Sequence, residues 1–332
     1  MKKSILNALP FFIAGFFLVV VSCKKNDTST TPATTNNTTD DTGVQTQNGT
    51  DDSRVNSDME QADVDVNDAL SASSTYSMKI NGSVLPPAYP CGATVDTSQK
   101  SSGIVILTYD GTSVCNGDSV KRSGSVKIEL LNYPAMKWID TNATAKITYT
   151  NYKVTPKLSN KSFTYDGVKY ISNLSGGLVY QMSVNTVVHK IRANNISITF
   201  DDGKQKNWSI ARTKLWKNLT GLASSPFFEV TVSGDTTVTI NSNGYSNVAV
   251  WGVNRNGDNF AVQITTPVKS NAFCGWYRPT SGVRTYSGIA HTLTVTYGVD
   301  ASGVVLTSGC AYGFRLNWVN AGGQSKSVVV AY

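Results

Sequence analysis

Asn195-Ile196-Ser197-Ile198-Thr199-Phe200, followed at once by Asp201-Asp202-Gly203, is the stretch on which the fold turns. Ile196, Ile198 and Phe200 fall on one side of an extended chain and Asn195, Ser197 and Thr199 on the other. A period of two belongs to a half-buried strand and not to a helix of 3.6 residues per turn. Asp202-Gly203 accepts the positive φ of a tight turn, so the run ends in a hairpin and its neighbour is antiparallel.

The same period recurs on either side. Val126, Ile128 and Leu130 alternate with Ser125, Lys127 and Glu129, and Ala145, Ile147 and Tyr149 alternate with Lys146, Thr148 and Thr150. Shorter runs at 104–109, 228–232, 248–251, 260–264, 293–297, 314–318 and 328–330 are separated by turn signals such as Asp110-Gly111, Asp166-Gly167 and Asn256-Gly257. No amphipathic segment of helical length lies between them, which argues against a parallel α/β fold. The expectation is all-β: an antiparallel β-sandwich architecture, as one large or two consecutive sandwiches, preceded by a disordered N-terminal tether. Leu219-Thr220-Gly221-Leu222-Ala223-Ser224-Ser225-Pro226 is the best internal break, giving β-rich regions over 76–222 and 223–332. No fixed-period repeat suggests a propeller or solenoid.

Composition agrees. The chain has 332 residues, 40% hydrophobic and only 15% charged, against about 25% charged in an ordinary soluble domain. With its abundant Ser, Thr and Asn it reads as an exported β protein and argues against a helical cytoplasmic enzyme.

The N-terminus supplies the address. Lys2 and Lys3 precede an apolar run from Ile5 to Val21 that ends at Val20-Val21-Ser22-Cys23. A basic start, an apolar stretch and a small residue before a cysteine form a lipoprotein signal over 1–22, with acylation expected on Cys23. The membrane is then a partner through that lipid. The Ser-Cys-Lys-Lys junction resembles lipoproteins of the Bacteroidetes type, which implies lipid anchoring at the outer membrane, on its periplasmic or cell-surface face.

Residues 23–75 read as an acidic tether rich in Thr, Asn and Asp, too poor in apolar side chains to offset its ordering entropy. Ser57-Asp58-Met59-Glu60 has capping-box spacing, and Met59, Ala62, Val66, Ala69 and Leu70 mark a short helix over 58–71. Residues 24–75 carry three bases against ten acids, a net of −7, while the rest of the exported chain carries 24 bases against 12 acids, a net of +12. The tether either associates weakly with the basic region, competing with anionic ligands, or stays solvated; solvation is the default expectation.

Cys91, Cys115, Cys274 and Cys310 remain, an even number that allows three pairings in an exported chain. Two fall in each half, which favours Cys91–Cys115 and Cys274–Cys310. No Cys-x-x-Cys spacing or clustered His supports a metal site, and no cofactor is indicated.

Around these cysteines the sequence resembles a widespread, functionally uncharacterised family of Bacteroidetes lipoproteins. The likeness runs through Cys91-Gly-Ala-Thr-Val-Asp96, Tyr109-Asp-Gly-Thr-Ser-Val-Cys115, Val120-Lys-Arg-Ser-Gly-Ser-Val-Lys127, Trp208–Trp216 with Arg212, Gly252-Val-Asn-Arg-Asn-Gly257 and Phe273-Cys-Gly-Trp276. It implies location and fold class, and no activity.

Chemical motifs are sparse. No nucleophile elbow, zincin motif, phosphate loop or dinucleotide fingerprint occurs. Asp110, Asn116 and Asp118 are oxygen donors in a turn, with backbone geometry the commoner reason for such residues. Two runs of cations, from Lys121 to Lys169 and from Lys190 to Lys217, alternate with apolar residues and so are expected on outer strand faces. Lys121, Arg122, Lys127, Arg212 and Lys214, with Trp208 and Trp216 for stacking, are the candidate ligand-binding residues. Anionic polysaccharide or glycan suits them better than nucleic acid. The expected function is a lipid-anchored, non-catalytic cell-envelope protein with an adhesive, scaffolding or ligand-binding role. The alternative is an enzyme acting on envelope or environmental polysaccharide through paired carboxylates.

Overall fold

Strands form where the alternation predicts them. The computed structural model describes residues 41–72, 90–114, 120–156, 161–182, 186–222 and 227–332. The segment read as a lipoprotein signal, Cys23, Cys115, Asn116 and Asp118 lie outside the described residues. One helix, α1 (Thr42–Ala72), is followed by β1 (Ala93–Asp96), β2 (Ile104–Asp110), β3 (Val120–Leu130), β4 (Ala143–Pro156), β5 (Phe163–Asn173), β6 (Val187–Phe200) and β7 (Gln205–Asn218). Then come β8 (Phe228–Gly234), β9 (Thr236–Ile240), β10 (Asn243–Val253), β11 (Asn259–Asn271), β12 (Ser281–Ser287), β13 (Leu293–Val299), β14 (Gly313–Val319) and β15 (Ser325–Ala331).

All fifteen strands belong to one antiparallel sheet, so the all-β expectation is met. Neighbours follow chain order from β1 to β7 and from β10 to β15. Between β7 and β11 the slot is shared: β10 pairs with residues 207–210 of β7 and 259–263 of β11, while β8 pairs with 212–218 and 268–271. The expected break near residue 222 is not a domain boundary. β8 folds straight back onto β7, and residues 38–332 form one compact unit. Asn218 ties the two sides of this connection: its side-chain oxygen accepts from the backbone N–H of Thr220 and Phe227 while its amide donates to the Leu222 carbonyl.

A line of β-bulges bends this sheet. Register slips occur between Ser123 and Ser125, Tyr149 and Tyr152, Asp166 and Lys169, and Ala193 and Ile196, across four successive strand pairs. Each bulge adds a residue on one strand and increases the local bend. Gly124, at φ +89°, opposes Asn151 so closely that a Cβ would stand 2.0 Å from the Asn151 carbonyl oxygen, so only glycine fits. The bulges also keep the phase: Tyr149 and Tyr152, three apart, both point inward.

The curled sheet surrounds α1. The segment that reads as a solvated tether with a helix over 58–71 is a 31-residue helix from Thr42 to Ala72, buried along most of its length. Its apolar residues Val55, Met59, Ala62, Val66, Ala69 and Leu70 join the sheet's inner face in a single core. At Gly49 the approach is close: a Cβ would meet the Leu316 side chain at 2.5 Å. The helix holds seven acids and one base. It is rich in Asp, Asn and Thr, weak helix formers, so its helicity depends on what packs around it. Long as it is, it is polar; among the described residues no helix is long and apolar enough to cross a membrane.

One of the expected disulfides, Cys274–Cys310, closes the end of the sheet, joining the loop before β12 to the loop before β14 over 36 residues. The entropy of such a loop makes the bond worth about 4 kcal/mol. Cys91 is also disulfide-bonded.

Candidate functional site

The cations divide between the two faces of the sheet. On β7 every even residue from Lys206 to Asn218 points inward, so Trp208, Arg212, Lys214 and Trp216 share the inner face, all buried. This corrects the expectation that Arg212 and Lys214 stand outside with Trp208 and Trp216 for a ligand. The physical reason is α1, which carries Asp52, Asn56, Glu60 and Asp63 at spacings of four, four and three, one face of a helix.

That face meets the cations in order. Arg284 of β12 donates to Asp52 at 3.4 Å, and Arg212 donates to Glu60 at 3.1 Å and to the Asn56 side-chain oxygen. Lys214 lies 2.5 Å from both Glu60 and Asp63, and Lys169 of β5 completes the chain on the other Asp63 oxygen. Lys169 and Lys214 are each only 1% exposed. Burial pushes the Asp63 carboxyl up, but the two ammonium groups outweigh it and hold the group well below the usual carboxylate range. Further anchors come from around the sheet. Tyr109 of β2 donates to Asp65 at 2.7 Å, Tyr165 of β5 to the Val55 carbonyl at 2.9 Å, and Ser53 and the Tyr297 hydroxyl of β13 lie 3.2 Å apart.

Two buried groups on this face stay outside the ion chain. His189 accepts from the Trp216 indole at Nδ1, 3.2 Å away, and burial, with Lys214 nearby, lowers its pKa to about 3, so the ring is neutral. Lys206 sits among Phe260, Trp208 and Tyr286, with Nζ 4.6, 5.0 and 5.4 Å from the ring centres. That aromatic cage partly replaces the water the ammonium has lost.

The helix carboxylates that flank the ion chain are less well compensated. Asp51 receives a bond from Arg255 at 2.8 Å, and Arg255 also reaches Asp202 at 3.3 Å and stacks over Phe200. Burial nonetheless pushes the Asp51 carboxyl up to about 6. At the other end burial pushes Asp68 up to about 7, opposed by a hydrogen bond from Tyr180. A cleft of about 820 Å³ opens beside Asp51, Arg255 and Phe200. A smaller cavity of about 170 Å³ lies over Arg54 and Ser57 of α1, between Val120 and Arg122 of β3 and Val330 of β15, where the two ends of the sheet approach. Arg122, another candidate ligand residue, is thus buried in that seam.

The outer face of β3–β7 carries the remaining cations. Glu129 holds Lys127 at 3.2 Å and Lys146 at 3.3 Å; Asp235, just after β8, holds Lys190 at 3.6 Å and Arg192 more closely. Between these clusters stands Tyr170, 40% exposed, whose register partners are Lys146 on β4 and Arg192 on β6. Lys127 is therefore where the sequence places it, and Lys121 is half-buried on the same side of β3. The glutamates on the polar sides of strands, Glu129 and Glu229, both pair with lysines, the latter with Lys269 at 3.2 Å. Asp110 accepts from the Thr112 and Ser113 backbone N–H groups, a turn role. Among the described residues no group of three or more His, Cys, Asp or Glu side chains is arranged to hold a metal ion.

A sheet of this size curled around an acidic helix defines an all-β protein with a polar, charge-neutralised interior and a cationic outer face. No family model, no curated protein and no solved structure matches the chain.

Proposed function

We propose that the protein is a lipid-anchored, non-catalytic scaffold of the cell envelope, held at the outer membrane through an acylated Cys23 and presenting its sheet body to a ligand. The observation that carries this reading is the encased helix. The chain after the expected lipoprotein signal enters the body as α1, and α1 is held along one face by Lys169, Lys214, Arg212 and Arg284. Tension on the anchor therefore loads buried ion pairs and not an edge strand that peels. Breaking such pairs is strongly unfavourable because it leaves buried charges uncompensated. The carboxylates support a non-catalytic role: Glu60 and Asp63 share one lysine in the interior, and Glu129 and Glu229 are neutralised outside.

Cell fractionation with labelled palmitate tests the reading. The intact chain should take up label and sediment with membranes, and Cys23→Ala should lose the label and become soluble. Unlabelled intact chain, or Cys23→Ala that still sediments with membranes, overturns anchoring. Polysaccharide turnover abolished by substituting a single carboxylate overturns the non-catalytic role.

A further inference from the structure

We infer that the outer face of β3–β7 binds a linear anionic polysaccharide, with Tyr170 as the platform for a sugar ring and the Lys127–Lys146 and Lys190–Arg192 clusters as its flanking acid-binding groups. The inference rests on the scaffold reading and names its ligand.

Strand register aligns these side chains. Glu129, Lys146, Tyr170 and Arg192 are paired in succession across four strands, so their side chains form one row perpendicular to the strand direction. Strands lie about 4.8 Å apart, which puts the backbone positions of Lys146 and Arg192 about 10 Å from each other with Tyr170 midway. An extended chain lying along this row meets a cation, an aromatic ring and a cation in turn.

Charge is next. Four cations, Lys127, Lys146, Lys190 and Arg192, face two carboxylates, Glu129 and Asp235, a net of +2. Each carboxylate is shared between two cations, so each cluster keeps one positive charge in excess. Against slight burial that would raise them, those cations hold the pKa of both carboxyls below the usual range, so both are ionised at neutral pH and the clusters keep their form. The side chains of Lys127, Lys146, Lys190 and Arg192 are 35–42% exposed. Exposed pairs of this kind are weak, so the three lysines swing to a ligand carboxylate at little cost, while Arg192, which also donates to the Ile191 carbonyl at 2.8 Å, stays in place as a fixed cation. The inward cations have no such freedom.

The third point is polarity. Beside Tyr170 the face carries hydroxyls, among them Thr144 and Ser172, bonded to each other at 2.8 Å. A sugar offers an apolar C–H face to an aromatic ring and a rim of hydroxyls to such groups, and a uronate or sulfated sugar adds sparse negative charge. A nucleic acid requires denser positive charge along its backbone. A protein partner requires a larger apolar centre than a lone tyrosine.

The test uses the full chain with polygalacturonate as probe, dextran as the neutral comparison, and phosphatidylglycerol vesicles and single-stranded DNA as rival anions. Affinity electrophoresis should show retardation by polygalacturonate and none by dextran, with binding weakening steeply between about 50 and 300 mM NaCl. Tyr170→Ala should weaken it about tenfold, while Tyr170→Phe keeps it, because stacking requires the ring and not the hydroxyl. Lys146→Ala combined with Arg192→Ala should weaken it by at least about tenfold. These side chains all point to solvent, and an unchanged melting temperature confirms that each variant folds. No retardation by polygalacturonate at the lowest salt, unchanged binding in the variants, or tighter binding to vesicles or DNA overturns the inference. Palmitate labelling of the same preparation separates the outcomes: a labelled chain that ignores polygalacturonate sinks the glycan site and leaves the anchored scaffold standing.

Discussion

Lys169, Arg212, Lys214 and Arg284 on the inner face and Lys127, Lys146, Lys190 and Arg192 on the outer face are the same residue types, on different strands of one sheet. The inner four are at most 3% exposed, and each bonds a specific helix carboxylate. The outer four are about a third exposed or more and share two carboxylates between them. One sheet thus uses positive charge twice. Inside, desolvation makes every unpaired charge expensive, so charge selects the single registry in which helix and sheet match. Outside, solvent screens the pairs, so charge remains available to a ligand.

The largest expected effect breaks the inner set. Asp63→Ala leaves Lys169 without its carboxylate and Lys214 with only Glu60, and should cost about 3–5 kcal/mol of stability in urea unfolding. If charge complementarity sets the registry, the double change Asp52→Leu with Arg284→Met, which removes both members of a buried pair, should cost far less than Arg284→Met alone. Equal costs would mean that apolar packing holds the helix by itself.

A smaller effect, of opposite sign, lies in the two helix carboxylates that flank the ion chain. Asp51 and Asp68 have folded pKa values near 6 and 7, above the ordinary carboxylate range, because burial outweighs their partners. The folded state therefore holds protons that the unfolded state has released, and stability falls as pH rises from about 4 to 7. Asp63 works the other way: its lowered pKa gives stability above about pH 4 that is lost as the solution becomes more acid. Stability should peak in mildly acid solution. Asp68→Asn, which keeps an acceptor for Tyr180 without the charge, should raise stability at pH 8 by about 1–3 kcal/mol and change little at pH 4. Thermal unfolding at the two pH values decides it; a loss at pH 8 would mean that Asp68 is stabilising as an anion.

How much of this the sequence discloses follows from the same two faces. Ile196, Ile198 and Phe200 announce their strand because their inner neighbours are apolar. On β7 the inner face reads Lys206, Trp208, Ile210, Arg212, Lys214, Trp216, a mixture whose inward side cannot be chosen without knowing that an acidic helix fills the interior. The helix in turn hides because its propensity is poor and seven acids are interspersed among its apolar residues. Its signal was nevertheless present: Asp52, Asn56, Glu60 and Asp63 keep helical spacing, and beside them Val55, Met59, Ala62 and Val66 keep it too. An acidic segment of −7 next to a basic region of +12 was a statement about packing, and an expectation of solvation discards it. The bulges are harder to foresee. Asn151 and Asn195, at φ 47° and 55°, sit in stretches where the alternation slips by one, a slip visible only once the partner strands are known.

The smallest expected effect belongs to the outer face and sharpens the comparison most, because it uses the same kind of substitution as the largest. Glu129→Gln removes a carboxylate that holds two lysines, as Asp63 does, but in solvent. Its cost should be under about 1 kcal/mol and should vanish as salt shortens the screening length to a few ångströms. At the same time the substitution raises the cluster from one excess positive charge to two, so polygalacturonate binding at low salt should tighten, the opposite of what a purely structural pair would give. Urea unfolding and affinity electrophoresis on one variant therefore read the two uses of charge separately. A Glu129→Gln cost as large as that of Asp63→Ala would show that the outer pairs, too, are part of what holds the sheet, and the division between the faces would fall.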